Sequence, residues 1–294
     1  MKILNFGSLN LDYTYRLDHF VKPGETEASQ SRTLACGGKG LNQSVALAKC
    51  GAEVYHAGAV GKLDGDILTD TLKRAGVNTD RIRVLGDVPS GSAFIQVTES
   101  GENAIVLDGG ANQAITKQDV TEVLSGFEKG DWLVLQNEIS EIPFIMEKAH
   151  ELGMKIVLNP SPMNDSVRKM PLEYVDYFLL NEAEAAALAG NAEGALAALI
   201  RRFPNAAILI TLGSQGCVFS EHGKMTAQPA FLVKPVDTTG AGDTFTGFFI
   251  GSLALGKDTA QALETAAKAA AISVTRKGAS TSIPSLEEVN RFVF

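Results

Sequence analysis

A basic surface is the first thing this 294-residue sequence lacks: 26 Lys and Arg stand against 34 Asp and Glu, a net charge of -8. That balance removes the footprint expected of a protein that holds nucleic acid or an anionic membrane, although a few backbone amides can still hold a small phosphate on an acidic surface. Cysteine is scarce, and Cys36, Cys50 and Cys217 are odd in number and without CxxC spacing. This excludes a disulfide framework, carries no zinc or redox signature, and suits free thiols in a reducing compartment. No apolar run approaches the ~18 residues of a membrane span. The opening Met1-Lys-Ile-Leu-Asn-Phe-Gly7 reads as a strand rather than a leader, so the expected location is the cytoplasm.

Several catalytic signatures are missing too. There is no GxGxxG, GxSxG or HExxH, and His19, His56, His150 and His222 stand far apart, as surface or satisfied core histidines do. Gly251-Ser-Leu-Ala-Leu-Gly256-Lys257 has the spacing of a phosphate-binding loop, yet it closes an apolar helical stretch and is followed by Asp258 where Ser or Thr would meet Mg2+. Gly256 reads as a helix C-cap instead.

What is present is an ordinary soluble-enzyme composition, 45% hydrophobic and 20% charged, with 29 Gly against 10 Pro, which predicts a compact fold with many tight turns. Short apolar runs at Ile3–Phe6, Val54–Val60, Trp132–Leu135, Ile156–Leu158, Tyr177–Leu180 and Ile208–Leu212 alternate with helical periodicity. Strands buried on both faces and separated by helices imply a parallel sheet. Gln136-Asn137-Glu138, Asn159-Pro160, Asn181-Glu182 and Thr211-Leu-Gly213 sit where four of these runs end. In an open α/β sheet that edge is where ligands bind, although Asn and Glu also start turns and cap helices. Alternation at Leu11, Tyr13, Tyr15 and Leu17, and a hairpin pattern from Ala93–Thr98 to Ala104–Asp108, predict a small antiparallel sheet beside the main one. Gly240–Leu255 and Thr259–Thr275 read as two buried helices with small residues for close packing.

Three segments carry chemistry. Cys36-Gly37-Gly38-Lys39-Gly40-Leu41-Asn42 precedes a helical pattern that ends at Gly51; glycines ahead of a helix let backbone amides approach a ligand, while a flexible loop entering a helix is the plainer alternative. Asp237-Thr-Thr-Gly240-Ala241-Gly242-Asp243 also leads into a helix. An Asp at a helix start stabilises it by ~0.5–2 kcal/mol as a cap. A second acid six residues earlier, across small and hydroxyl side chains, reads as a site for cations and proton transfer around an anion hole. Thr211-Leu-Gly213-Ser214-Gln-Gly216 is the weakest, a strand end and glycine turn able to face a nucleotide or simply to reverse the chain.

Taken together, these segments resemble the PfkB, or ribokinase-like, family of carbohydrate kinases. Gly37–Asn42 with Ser44, Gly51 and Gly61 is similar to the family's N-terminal signature, and Asp237–Gly247 to its C-terminal one; Asn10-Leu-Asp12, Pro23-Gly-Glu-Thr26, Gly110-Ala-Asn112, Asn159–Pro162, Asn181–Glu184 and Thr275–Ala279 follow in order. The resemblance implies one kinase domain over 1–294, a three-layer α/β/α Rossmann-like fold with a mostly parallel sheet, and a small antiparallel β-lid over about 11–36 and 88–110 that often pairs two copies. It implies Asn10, Asp12, Gly38, Lys39, Gly40, Asn42 and Glu138 as sugar contacts, with Asp243 as general base and Gly240, Ala241 and Gly242 as the anion hole. Asn181, Glu184, Thr211, Gly213, Ser214, Gly216 and Gly242 would line the site of ATP, the first two organising Mg2+ and phosphate through water. Asp237, Thr239, Ser273, Arg276, Gly278 and Ser282 would hold K+. The expected reaction is ATP-dependent phosphorylation of D-ribose to D-ribose 5-phosphate; a nucleoside, a ketohexose, 2-keto-3-deoxygluconate, or sugar binding without turnover are the alternatives. Phe248 departs from the small residue usual after Gly247, which predicts altered packing, and Ala267 falls near a frequent adenine-side position without a side-chain donor.

Overall fold

Each of the six apolar runs is a strand in the computed structural model, which describes residues 1–293. In chain order the strands are β1 (Ile3–Phe6), β2 (Asn10–Arg16), β3 (Ser31–Gly37), β4 (Val54–Gly61), β5 (Asn78–Leu85), β6 (Gly91–Val97) and β7 (Asn103–Asp108). Then come β8 (Trp132–Gln136), β9 (Lys155–Asn159), β10 (Tyr177–Asn181), β11 (Ala207–Thr211), β12 (Cys217–Glu221) and β13 (Lys224–Gln228). The helices are α1 (Lys39–Lys49), α2 (Asp66–Arg74), α3 (Lys117–Leu124), α4 (Ile142–Leu152), α5 (Glu182–Ala189), α6 (Ala195–Arg202), α7 (Ala241–Ala254), α8 (Thr259–Ser273) and α9 (Leu286–Arg291).

The main sheet has nine strands in the order β13-β12-β11-β10-β9-β8-β1-β4-β5. All pairings from β11 to β5 are parallel, and the last two strands add antiparallel at one edge. Period-2 alternation sorts the side chains: Ile3, Trp132 and Val134 enter a core under α1, α7 and α8, while Leu4, Leu133 and Leu135 enter a second core under α3, α4, α5 and α6. Both faces are therefore covered, which is why the central strands read as unbroken apolar runs. β5, with Asp80, Arg81 and Arg83 in it, lies at the exposed edge and carries no such signal.

Helix ends follow local chemistry. Thr116 with Asp119, Asn181 with Glu184, Asp258 with Gln261 and Ser285 with Glu288 form reciprocal capping boxes at α3, α5, α8 and α9. The Gly251–Lys257 stretch is the end of α7, with Gly256 left-handed at φ 86° just beyond it, as a C-cap glycine should be. Phe248 is fully buried in the first core. Close packing of α7 on α1 depends on Gly247, where a Cβ would lie 2.3 Å from the Cβ of Ala46.

The smaller sheet runs β3-β2-β6-β7. Its outer pairings, β2–β3 and β6–β7, are antiparallel as expected, but β2 and β6 run parallel. They are joined through β3, α1, β4, α2 and β5 rather than by a hairpin, and such a crossover permits parallel pairing.

Candidate active site

The carboxyl ends of β8, β9, β10 and β11 lie side by side, with Gln136 in register with Asn159 and Asn181 in register with Thr211. Two adjoining cavities open there. The smaller, about 140 Å3, is bordered by Lys39, Asn159, Asn181, Glu184 and Asp243. The larger, about 360 Å3, is mainly apolar and bordered by Gly216, Phe231, Ala267, Ala270 and Val274, together with Gly213 and Ser214 of the turn after β11. Thr211 and Gly242 border both.

Gly240 begins α7 in the left-handed region at φ 73° and offers no side-chain cap. The amide of Ala241 donates to the Thr238 carbonyl at 3.2 Å and that of Thr244 to the Gly240 carbonyl. This leaves the amides of Gly242 and Asp243, which precede the first intrahelical bond, without a backbone partner, and a Cβ on Gly242 would meet nothing within 4 Å. The Asp243 carboxylate, 8% exposed, accepts from Asn42 Nδ2 at 3.0 Å and from Gln43 Nε2 at 2.9 Å. Asn42 Oδ1 is buried beside it with no partner. A buried acceptor left unpaired is destabilising by about 1–3 kcal/mol, a cost that Asn42 Oδ1 bears beside the carboxylate its own NH2 helps to fix.

The other sugar-side candidates converge on the same mouth. Gly38, at φ 89°, caps α1 where a Cβ would meet Asn10 N and Ser8 O at 3.1 Å, and Gly40 backs onto Gly7 and Ser8 even more closely. Lys39 N–H donates to Glu138 Oε2 at 3.0 Å, and the Ser8 hydroxyl donates to the same oxygen. Asn10 accepts from Asn112 Nδ2 at 2.7 Å, which turns its own NH2 group away from Asn112. Gly37 lies flush against Asp12: a Cβ there would sit 1.9 Å from Asp12 Oδ2.

Electrostatics differ sharply across this mouth. Burial, followed by the charge of Glu138, pushes Asp12 up to about 7. Burial also raises Glu138, with Lys39 opposing. Burial pulls Lys39 down, but Asp243, Glu138 and Glu184 outweigh it and hold the ammonium above its usual range. A protonated lysine thus faces the smaller cavity among three acids.

Among the residues expected to face the nucleotide, Asn181 and Glu184 form the α5 capping box, Asn181 N–H to Glu184 Oε2 at 3.0 Å and Glu184 N–H to Asn181 Oδ1 at 2.8 Å. Their local role is thus helix capping, at the rim of the cavity. Behind α7, Asp237 accepts from Thr239 N–H and Oγ1 at 3.0 and 2.7 Å and from Gly278 N–H at 2.9 Å; although burial opposes them, these bonds hold its carboxyl below the usual range. Asp237, Thr239 and Gly278 are therefore brought together. Ser273 and Ser282 are buried with hydroxyls bonded to nearby carbonyls, and Arg276 pairs with Glu288 at 2.7 Å.

Gln43, Asn5 and the cross-link from Gln136 were not among the sequence candidates. All three are fully buried. The available signal was an uninterrupted polar triplet, Asn42-Gln43-Ser44, ahead of the apolar run Val45-Ala-Leu-Ala48 in α1, and a buried triplet requires internal partners.

A cleft at the carboxyl edge of a parallel sheet, with free helix N-terminal amides, a fixed carboxylate and an adjoining apolar slot, defines an α/β enzyme suited to phosphoryl transfer. Residues 1–286 match the profile of the pfkB family carbohydrate kinases; the chain belongs to that family and is a sugar kinase. It is 36% identical over 299 residues to a ribokinase of Haemophilus influenzae, covering 98% of this chain and 96% of that one. It is 31% identical over 309 residues to a deoxyribokinase of Salmonella typhi, covering 100% and 99%. The structure of Arabidopsis thaliana ribokinase complexed with ribose and ATP superposes with a TM-score of 0.87 at 28% identity, covering 99% of each chain.

Proposed function

We propose that this enzyme transfers the γ-phosphoryl group of ATP to the 5-hydroxyl of D-ribose, giving D-ribose 5-phosphate. The observation that carries the reading is the Asp243 carboxylate fixed by Asn42 and Gln43 at the start of α7, with the unpartnered Asn42 Oδ1 beside it. Ribokinases among the relatives, including one solved with ribose and ATP, favour that substrate pair.

Phosphoryl transfer passes through a loose transition state, so the protein's tasks are alignment and charge neutralisation. Asp243 orients the acceptor hydroxyl and takes its proton late in the transfer. The Gly240-Ala241-Gly242 turn forms the anion hole; with Ala241 N–H directed to Thr238, the amides of Gly242 and Asp243 carry most of it, and Lys39 adds positive charge from the opposite wall. Asn10, Asp12, Gly38, Gly40, Asn42 and Glu138 hold the sugar. Thr211, Gly213, Ser214 and Gly216 line the path of the nucleotide.

Two cations fit the donors present. Glu184 keeps one carboxylate oxygen outside its capping bond, at the rim of the small cavity, which suits Mg2+ held through water; the metal would neutralise phosphate charge. Around Asp237 the Thr239 and Gly278 amides hold a carboxyl below its usual range and the Arg276 charge is taken up by Glu288, so the segment suits K+ behind the anion hole, with Thr239, Ser273, Arg276, Gly278 and Ser282 as its further proposed ligands.

The four-stranded sheet acts as a lid over the sugar and as the contact between two copies. Phe94, Ile105, Val106 and Leu107 are exposed on it. Coupled ATP consumption with a panel of pentoses, 2-deoxyribose, hexoses and nucleosides, with and without K+, tests the acceptor: ribose is expected to have the highest kcat/KM, and a higher value for another acceptor overturns the assignment. Asp243→Asn is expected to reduce kcat by about 10²–10⁴-fold with ribose binding kept. Retention of most of kcat would remove Asp243 from its role.

A further inference from the structure

The amide of Gln43 has a choice that its surroundings make for it. A carboxamide offers two N–H donors on one side and an acceptor on the other, and a half-turn exchanges them. Gln43 Nε2 donates to Asp243 Oδ1 at 2.9 Å and to Asn159 Oδ1 at 3.2 Å. The orientation of Asn159 is itself set, because its Nδ2 donates to the Leu179 carbonyl at 2.9 Å. On the other side, Gln43 Oε1 accepts from Gln136 Nε2 at 2.8 Å. Reversing Gln43 would place its oxygen against the Asp243 carboxylate and Asn159 Oδ1, and its NH2 against the NH2 of Gln136.

Gln136 is held in turn. Its Nε2 also donates to Asn5 Oδ1 at 2.9 Å, and Asn5 is oriented by donating Nδ2 to the Gly40 carbonyl at 2.7 Å and to Ser44 Oγ at 2.8 Å. Gln136 Oε1 is left buried and without a partner, so this residue adopts the orientation that serves Gln43 and Asn5 at the expense of its own acceptor. Donation therefore spreads both ways from Gln136 Nε2, through Asn5 to the Gly40 carbonyl and through Gln43 to Asp243. Asn5, Gln43 and Gln136 are all 0% exposed, and none borders either cavity.

We propose that Gln43, oriented by Gln136, is a positioning residue that fixes the plane of the Asp243 carboxylate toward the acceptor hydroxyl. The proposal rests on the reading of Asp243 as the base. Asn42 holds Oδ2 from one side and Gln43 holds Oδ1 from the other, so losing either donor frees the carboxylate to rotate about its terminal torsion and leave the near-attack geometry. Because Gln43 is fully buried and its amide is taken up by Asp243, Asn159 and Gln136, its loss is expected to act on turnover rather than on binding.

The test uses the full-length enzyme with ATP and the best acceptor from the panel. Gln43→Met keeps the volume and removes the donors; it is expected to lower kcat about 10–100-fold while both KM values stay within about threefold. Gln136→Met, which leaves Gln43 Oε1 unpaired and removes one of the three contacts that set its orientation, is expected to lower kcat about 5–20-fold in the same pattern. In an Asp243→Asn background Gln43→Met should change the residual rate by less than about twofold, because what it positions is gone. Full loss in that background, or a rise in KM that tracks a fall in Tm, would show a merely structural role and overturn the proposal. So would a Gln43→Met enzyme that keeps most of its kcat. Should Gln43→Met not fold, Gln43→Asn, whose shorter amide cannot reach Asp243, takes its place with the same expected split. Asp243→Asn alone tests the base reading: normal turnover there refutes the base, whereas loss there with normal turnover in Gln43→Met refutes only the positioning.

Discussion

Replacing Asp12 by asparagine should stabilise the ligand-free protein at pH 8 and leave its stability nearly unchanged at pH 4. The Asp12 carboxyl is raised from 3.8 to about 7, first by burial and then by the charge of Glu138. Between those two values the unfolded chain has released its proton and the folded chain has kept it, so stability falls as pH rises through that window and the deficit is complete above about 7. A shift of roughly 3 units at about 1.4 kcal/mol each is ~4 kcal/mol, and halving it for water that reaches the four-stranded sheet leaves about 2 kcal/mol. Asparagine does not titrate. The variant-minus-wild-type difference should therefore be near zero at pH 4 and reach about 2 kcal/mol in favour of the variant at pH 8, read from urea unfolding at a series of pH values. Taking the difference cancels the groups whose values move the other way, such as Glu288, which the Ser285 amide and then Arg276 lower to about 2. If Asp12 holds the sugar as proposed, the same variant should also lose the stabilisation that saturating sugar confers on wild type. A difference that is flat with pH, or a variant less stable at pH 8, refutes the reasoning.

Gly247→Ala places a methyl 2.3 Å from Ala46 Cβ and 2.8 Å from Leu47 N, so α1 and α7 must part; about 1–3 kcal/mol should be lost by thermal unfolding, with kcat reduced as well because Asn42 and Asp243 ride on those two helices. If the larger cavity takes the base, Phe231, Ala267, Ala270 and Val274 offer it only apolar contact and the hydroxyls of Thr211, Ser214 and Thr238 can donate to either purine, so ATP should be preferred to GTP by less than about 100-fold in kcat/KM; a preference above 1,000-fold would show a specific base contact. Val106→Glu puts a charge at a residue 64% exposed on β7 and should halve the molar mass measured by light scattering if the lids pair, with folding intact by circular dichroism.

The layered fold was legible because a buried parallel strand leaves a period and a length that few other structures share. β5 escaped because an edge strand needs no apolar face toward a second layer, and Asp80, Arg81 and Arg83 hide it. The parallel pairing of β2 and β6 was hidden for a different reason: alternation reports which face a residue occupies, not the direction of its neighbour. Arg276 could be placed in the loop beside Asp237, but that its charge turns to Glu288 is a fact of α9 docking there.

Sequence by itself determined the elements and the chemistry available: glycines and a lysine at the start of α1, glycines and acids at the start of α7, polar residues at four strand ends, and the family to which their order belongs. Only the tertiary structure decided which of them meet. Asn42 and Asp243 lie 201 residues apart, yet share a 3.0 Å hydrogen bond because two glycine-packed helices start at the same sheet edge. The orientation of that carboxylate was decided further away still, by Gln136 and Asn5, since an amide buried without water takes whichever direction its neighbours' donors and acceptors impose.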